Sequence, residues 1–328
     1  MKAVVCEAFG PPEDLNVREL EVPEVAADSL LVRVEAAGVG FVDGLLIQGL
    51  YQIKPELPFV PGSEFYGEVT ATGNDVDPSW LGQRIIGLAT GGTFADYTTV
   101  KANQAVAIPA KIDRLDAATA AGLFINYATA LYGWRDCGAL QPGETVLVLG
   151  AAGGVGSAAV AVAKAMGATV IAAASSAAKR AAAETFGADA TVDYRADNWR
   201  EPLKRIAPGG INLIYDPVGG DEAETAFRTL SPGGRHLVVG FASGTIPKLA
   251  LNLPLLKRAS IVGVDWGGEM RAHPEINQEL MGTVLEWIAT GKLVPAAVEV
   301  RPMADFRSAL TDQLAGNIVG KLVLESPL

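Results

Sequence analysis

Cysteine, histidine and positive charge are all scarce in this sequence. Cys6 and Cys137 are its only cysteines, too few for a disulfide framework or a cysteine-rich zinc module. A reducing compartment, the cytoplasm, is the expected location. The opening Met1-Lys2-Ala3-Val4-Val5-Cys6-Glu7 meets a carboxylate before any apolar stretch long enough for a signal peptide. The 26 Lys and Arg against 37 Asp and Glu leave a net charge of −11, which argues against nucleic acid or an anionic membrane surface as the main partner. From Thr145 to Ala174 the only charge is Lys164. Glycines interrupt that run and it splits into two β-type pieces around an Ala-rich helix, so it reads as a buried βαβ unit and not as a membrane span.

Apolar residues make up 49% of the 328 residues, enough for a large core, and roughly 150 residues per domain gives about two domains. The first third is mostly β: Lys2–Glu7, Leu31–Glu35, Glu64–Thr72, Arg84–Leu88 and Ala95–Val100 read as short strands between Gly and Pro punctuation. Asp116–Trp134 reads as one or two helices. A βα alternation follows, with strands expected at Thr145–Leu149, Thr169–Ala173, Ala190–Asp193, Ile211–Asp216, Arg235–Val239 and Ser260–Val264. Strands joined by crossovers imply a parallel sheet covered on both faces, a doubly wound architecture. A helix at Pro274–Thr290, a strand near Val294–Val300, a helix at Met303–Leu314 and a strand at Lys321–Leu324 complete the expected order.

Val146-Leu147-Val148-Leu149 runs straight into Gly150-Ala151-Ala152-Gly153-Gly154-Val155-Gly156 and then into Ser157–Lys164. This is strand, glycine turn, helix. Glycine permits the tight turn and the close approach of a pyrophosphate, while the helix amino terminus offers free N–H groups and the positive end of its dipole. The G-x-x-G-x-x-G spacing departs from the commoner G-x-G-x-x-G, and a tight βα turn of a methyltransferase would share it. The second strand bears on the cofactor. A site for NAD carries an acidic residue there, roughly 20 residues beyond the glycines. Here Ile171–Arg180 contains no carboxylate; Ser175 can donate a hydrogen bond to a 2′-phosphate, and Lys179 or Arg180 can supply charge. NADP(H) is the expected cofactor.

Three segments together carry a resemblance: Val148–Gly156, Tyr215-Asp216-Pro217-Val218-Gly219-Gly220 and Gly240-Phe241-Ala242-Ser243-Gly244. With Ile47-Gln48-Gly49-Leu50-Tyr51, Pro58–Glu64 and the closing Val319–Leu324, the chain resembles the zinc-independent quinone oxidoreductases (zeta-crystallin-like) of the medium-chain dehydrogenase/reductase superfamily. That resemblance covers the whole chain. It implies an α/β protein: a GroES-like, mostly β catalytic domain from residues 1–122 and 266–328, and a Rossmann NADP(H)-binding domain at 123–265, with the active site in the cleft. Gly150, Ala152, Gly153, Gly154, Val155 and Gly156 would hold the diphosphate, and Tyr194 would join Ser175 and Lys179 around the 2′-phosphate. Phe241, Val264 and Trp266 would line the nicotinamide, and Lys321 is assigned to the cofactor site with them.

Zinc-dependent relatives place Cys and His where this chain has Gly40 and Ser63, and neither residue belongs to the Cys, His, Asp and Glu set that holds a catalytic zinc. Arg84–Tyr97 also contains no cysteine, so the four-cysteine structural lobe is missing. No metal site is expected. Without a Lewis acid the acceptor must already be electrophilic, a quinone or an α,β-unsaturated carbonyl. Hydride from NADPH would reduce it, with a proton supplied by solvent or a hydroxyl. Tyr51, in a segment similar to the Gly-x-Tyr of enoyl reductases, is the candidate catalytic residue; its alternative role is an aromatic wall. Gly40 replaces an Asn common in relatives, which puts acceptor orientation in doubt. An enoyl or alkenal double-bond reductase, and an NADPH-binding protein with little turnover, are the rival readings. Asp43 and Glu64 read as scaffold carboxylates, His236 and His273 as structural or surface residues, and Lys257-Arg258 as a solvated helix end, with contact to a phosphorylated substrate such as a coenzyme A ester as the alternative. Related proteins form homodimers through an edge of the Rossmann sheet, which points to Ser260–Val264.

Overall fold

The structure, a computed structural model, describes residues 1–112 and 115–328. The chain divides into two compact units, one comprising Met1–Ile125, His273–Ala289 and Ala297–Leu328, the other Asn126–Ala272 and Thr290–Ala296. The first unit begins with β1 (Lys2–Val5), β2 (Asn16–Glu19), β3 (Ser29–Val39), helix α1 (Phe41–Ile47), β4 (Glu64–Thr72), β5 (Arg84–Leu88), β6 (Tyr97–Lys101) and β7 (Ala105–Ala107). Helices α2 (Ala117–Ala121) and α3 (Phe124–Tyr132) follow, the second running into a π turn over Gly133–Cys137.

The second unit alternates β8 (Thr145–Leu149), α4 (Gly154–Ala165), β9 (Thr169–Ala174), α5 (Ala177–Thr185), β10 (Ala190–Asp193), α6 (Arg200–Ile206), β11 (Ile211–Asp216), α7 (Glu222–Phe227), β12 (Leu230–Val238), α8 (Asn252–Lys257), β13 (Ser260–Gly263) and α9 (Trp266–Ala272). The chain then returns to the first unit with α10 (Ile276–Ala289), β14 (Val298–Pro302), α11 (Phe306–Leu314) and β15 (Lys321–Glu325).

In the second unit the sheet order is β10-β9-β8-β11-β12-β13, all parallel. The order reverses between β8 and β11, and crevices at such a switch point, beyond the carboxyl ends of the strands, bind ligands. Leu147, Leu149, Ile171, Ile214 and Phe227 are buried in its core. Continuous apolar runs such as Val146–Leu149 suit strands covered on both faces. Pro232, Gly233 and Gly234 extend β12 back to Leu230, and the β11–β12 register shifts between Ile211 and Leu213.

The first unit has a mixed sheet, β14-β15-β3-β4-β5-β7, with β6 also paired to β3. Residues from both ends of the sequence meet here: Leu322 and Leu324 pair with Val39 and Ala37, antiparallel. Val32, Phe65, Ile85, Phe306 and Leu322 fill its core. The strand expected at Val294–Val300 begins at Val298 instead. Pro295 has no N–H to give a ladder, and the Ala296 N–H donates to the Tyr127 hydroxyl at 2.8 Å. That phenol is buried, which pushes its pKa up to about 12. Among the described residues no helix is long and apolar enough to cross a membrane.

Candidate functional site

Leu149 ends β8, and Gly150 turns the chain with φ +59°. A Cβ on Gly150 would come within 2.8 Å of Val218 Cγ2, and one on Gly156 would lie 2.2 Å from the Gly150 carbonyl oxygen. Only glycine lets the first turn of α4 close onto the strand end this tightly. Gly153 caps the helix in extended conformation, Gly154, Val155 and Gly156 form its first turn, and no acid stands there to neutralise its positive end. The first amides of a helix have no partner within it, so the turn presents N–H groups to an anion. Around Gly153 a Cβ would meet only the Gly150 oxygen, at 3.5 Å. The cradle therefore fits a diphosphate. Ala152 is buried behind it.

β9 and β10 pair with Ala174 opposite Asp193, so the next residues, Ser175 and Tyr194, emerge side by side. Both are half-buried. Ser176 caps α5 by accepting from the Lys179 N–H at 3.3 Å, which places Lys179 in the first turn beside Ser175. Sequence reasoning offered Lys179 and Arg180 as equivalent sources of charge, and the structure separates them: Arg180 Nη1 is ion-paired to Asp193 Oδ2 at 2.6 Å. The Arg195 amide donates to Asp193 at 2.9 Å, and it and the Arg180 guanidinium hold that carboxyl below its usual range. The carboxylate that ends β10 is thereby engaged by Arg180. Arg195, which the sequence left without a role, stands 5.9 Å from the Tyr194 ring centroid as a cation over its face. Its adjacency to Tyr194 in Val192–Arg195 was the available signal.

The loops beyond β11 and β12 are laced together. Asp216 Oδ1 accepts from the Val218 and Gly219 amides at 2.9 and 2.8 Å, and its Oδ2 meets His236 Nε2 at 3.0 Å. Ala242 N–H donates to the Pro217 carbonyl and Ser243 N–H to that of Val218, each at 3.0 Å. Phe241 stands on this loop, 40% exposed, while Val264 and Trp266 are buried at the end of β13 and the start of α9. All three share the carboxyl ends of the strands with the glycine turn. His236 is thus a buried partner of Asp216, and His273 is exposed at the surface.

The first unit carries a buried charged cluster. Asp43, in α1, accepts from the Gly40 N–H at 2.7 Å and from the Ser63 hydroxyl at 2.8 Å. Burial pushes its pKa up to about 6, against the pull of those two donors. Glu64, fully buried, is ion-paired to Lys321 and accepts from the Ile125 N–H at 2.8 Å. Lys321 is 7% exposed and, like Tyr51, belongs to the first unit. Tyr51 is half-buried in the bend that follows α1. Among the described residues no group of three or more His, Cys, Asp or Glu could hold a metal.

The strand order and the glycine turn place the second unit in the Rossmann class. Two family models match the chain, "Alcohol dehydrogenase GroES-like domain" over residues 26–110 and "Zinc-binding dehydrogenase" over residues 154–289. Quinone oxidoreductase-like protein 2 of Bos taurus is 35% identical over 98% of this chain and 92% of its own length. The crystal structure of Escherichia coli quinone oxidoreductase complexed with NADPH matches with TM-score 0.89 and 26% identity over 99% of this chain and 100% of that one. The enoyl reductase CurK matches with TM-score 0.88 and 25% identity over 99% of both chains. The chain belongs to the zinc-independent quinone oxidoreductase family of the medium-chain dehydrogenases/reductases. Its first unit is GroES-like.

Proposed function

We propose that this protein is an NADPH-dependent oxidoreductase that reduces a quinone or a similar conjugated acceptor without a metal. The observation that carries the reading is the phosphate-friendly second strand: Ser175 and Tyr194 follow the paired ends of β9 and β10, Lys179 lies in the first turn of α5, and Asp193 is paired with Arg180. NADPH, when bound, would supply the hydride, two electrons, that reduces the acceptor. The amides of Gly154–Gly156 would hold the diphosphate, that of Gly153 being spent on the Gly150 carbonyl at 2.9 Å, while Lys179, Ser175 and Tyr194 would hold the 2′-phosphate, and Phe241, Val264 and Trp266 would line the nicotinamide. Tyr51 donates the proton that the reduced acceptor needs at oxygen or carbon. Two free thiols suit a reducing compartment, and we place the activity in the cytoplasm.

The partner surface we propose is a second copy of the chain. β13 is one of the two edge strands of the parallel sheet, and Ile261 on it is 45% exposed. Leu251, Leu255 and Leu256, on or next to α8, are 74–83% exposed, an apolar surface that a homodimer would cover.

Calorimetry with NADPH and NADH tests the cofactor assignment, with NADPH expected to bind at least about tenfold more tightly, a difference of about 1.4 kcal/mol. Equal affinities would remove the 2′-phosphate site. Steady-state NADPH oxidation against quinones, 2-alkenals and enoyl thioesters then orders the acceptors. The Tyr51 segment and the likeness to an enoyl reductase support the second reading, carbon–carbon double-bond reduction, and a clear preference for alkenals or enoyl thioesters would put it first. Tyr51→Phe is expected to lower turnover by about 10²-fold while leaving NADPH affinity intact; unchanged turnover would leave Tyr51 as a wall.

A further inference from the structure

Lys257, which the sequence read as a solvated helix end or a contact for a phosphorylated group, is partly buried. It lines a cavity of about 290 Å³ at the amino ends of β11 and β12, with Arg200 and Lys204 of α6, Arg228, and the backbone turns at Gly209 and Ser231. β11 spans six residues, which at a rise of about 3.3 Å per residue puts this cavity about 17 Å from the opposite, carboxyl end of the strand where the glycine turn opens. It is a different site.

Four cations from three segments meet here in a chain of net charge −11. Two are already compensated: Lys204 pairs with Glu201 and Arg228 with Glu224, each at 2.6 Å. The other two are not. Lys257 Nζ donates to the Leu230 carbonyl at 3.0 Å and has no carboxylate partner among the described residues. Burial, then the charges of Arg200 and Arg228, hold its pKa below the usual lysine value, and no acid opposes them. Among the described residues Arg200 has no ion pair within contact distance either, although its charge is felt by Glu201, and its Nε is buried without a hydrogen-bond acceptor. An uncompensated buried donor costs free energy that an anion would recover. The wall beside them is open to backbone approach, since a Cβ on Gly209 would meet nothing within 4 Å.

We propose that Arg200 and Lys257 form a second anion site that takes a phosphate group, free or as a small phosphate ester, independently of the NADPH site. Two unpaired cations match the charge of about −1.5 to −2 that a phosphate monoester carries at pH 7, and the guanidinium can grip two oxygens while the ammonium meets the third.

The test is calorimetry of the full chain with inorganic phosphate and with ribose 5-phosphate as probes and acetate as the monoanion control. Saturable binding of either phosphate, with acetate silent, is expected; the tighter of the two identifies whether free phosphate or an ester is preferred. Arg200→Gln/Lys257→Gln is expected to weaken it at least about tenfold, while Lys179→Gln leaves it unchanged. Because the double variant could misfold, protection of Lys257 from an amine-reactive label by phosphate in the unmodified protein provides a second readout. No saturable binding, binding lost with Lys179→Gln instead, or labelling of Lys257 that phosphate does not slow would overturn the site.

Discussion

The two units bury opposite things at their functional ends. The second unit shapes its glycine turn with missing side chains: Gly150 and Gly156 leave the backbone room to fold onto itself. In the first unit, Asp43, Glu64 and Lys321 are charged, buried and tied to amides, a hydroxyl and each other. Backbone geometry tolerates no substitution but needs no partner. Buried charge depends on every partner being present. The positions that hold Cys and His in zinc-dependent relatives here hold Gly40 and Ser63, whose amide and hydroxyl both serve Asp43.

The contrast can be broken most forcefully at Lys321. Lys321→Met strands the Glu64 carboxylate in the core and should cost about 3–5 kcal/mol in denaturant unfolding; the additional change Glu64→Gln should return part of that loss. A loss below about 1 kcal/mol would show that the pair is not interdependent. Asp43 sharpens the comparison through pH. Its pKa is raised from 3.8 to about 6 in the folded chain, so the folded state holds the proton more tightly than the unfolded one. That contribution is complete below about pH 4 and is lost as pH rises to about 6, roughly 3 kcal/mol in all. Asp43→Asn removes the titration, and stability measured across that range should flatten; an unaltered slope would refute the buried acid. On the other side, Gly156→Ala should cost about 1–3 kcal/mol of overpacking and abolish NADPH binding, with retained binding showing that the turn has slack.

The same contrast explains what could be read in advance. β8, the glycine turn and α4 were legible because a run of apolar residues closed by glycines leaves few backbone paths. The absence of an acid after β9 was equally plain. Asp193 was harder: it pairs with Arg180, 13 residues earlier in the chain, and only the β9–β10 register brings them together. Glu64 and Lys321 are farther apart still; the sequence offered a scaffold carboxylate and a cofactor-site lysine, and their ion pair is visible only once β15 is seen beside β3. Helix α1 left little pattern because it is seven residues long, contains Gly44, and starts on the Gly40 amide bond to Asp43.

β15 lies between β14 and β3 in the first sheet, although its residues are synthesised about 280 positions after those of β3. During translation the parallel sheet of the second unit has all its strands while β3 still lacks its neighbour and Glu64 its counter-ion. The nascent GroES-like unit therefore waits, with an open edge, for β15 to leave the ribosome, and a chain stopped short of Lys321 would carry a finished Rossmann domain beside an unfinished one.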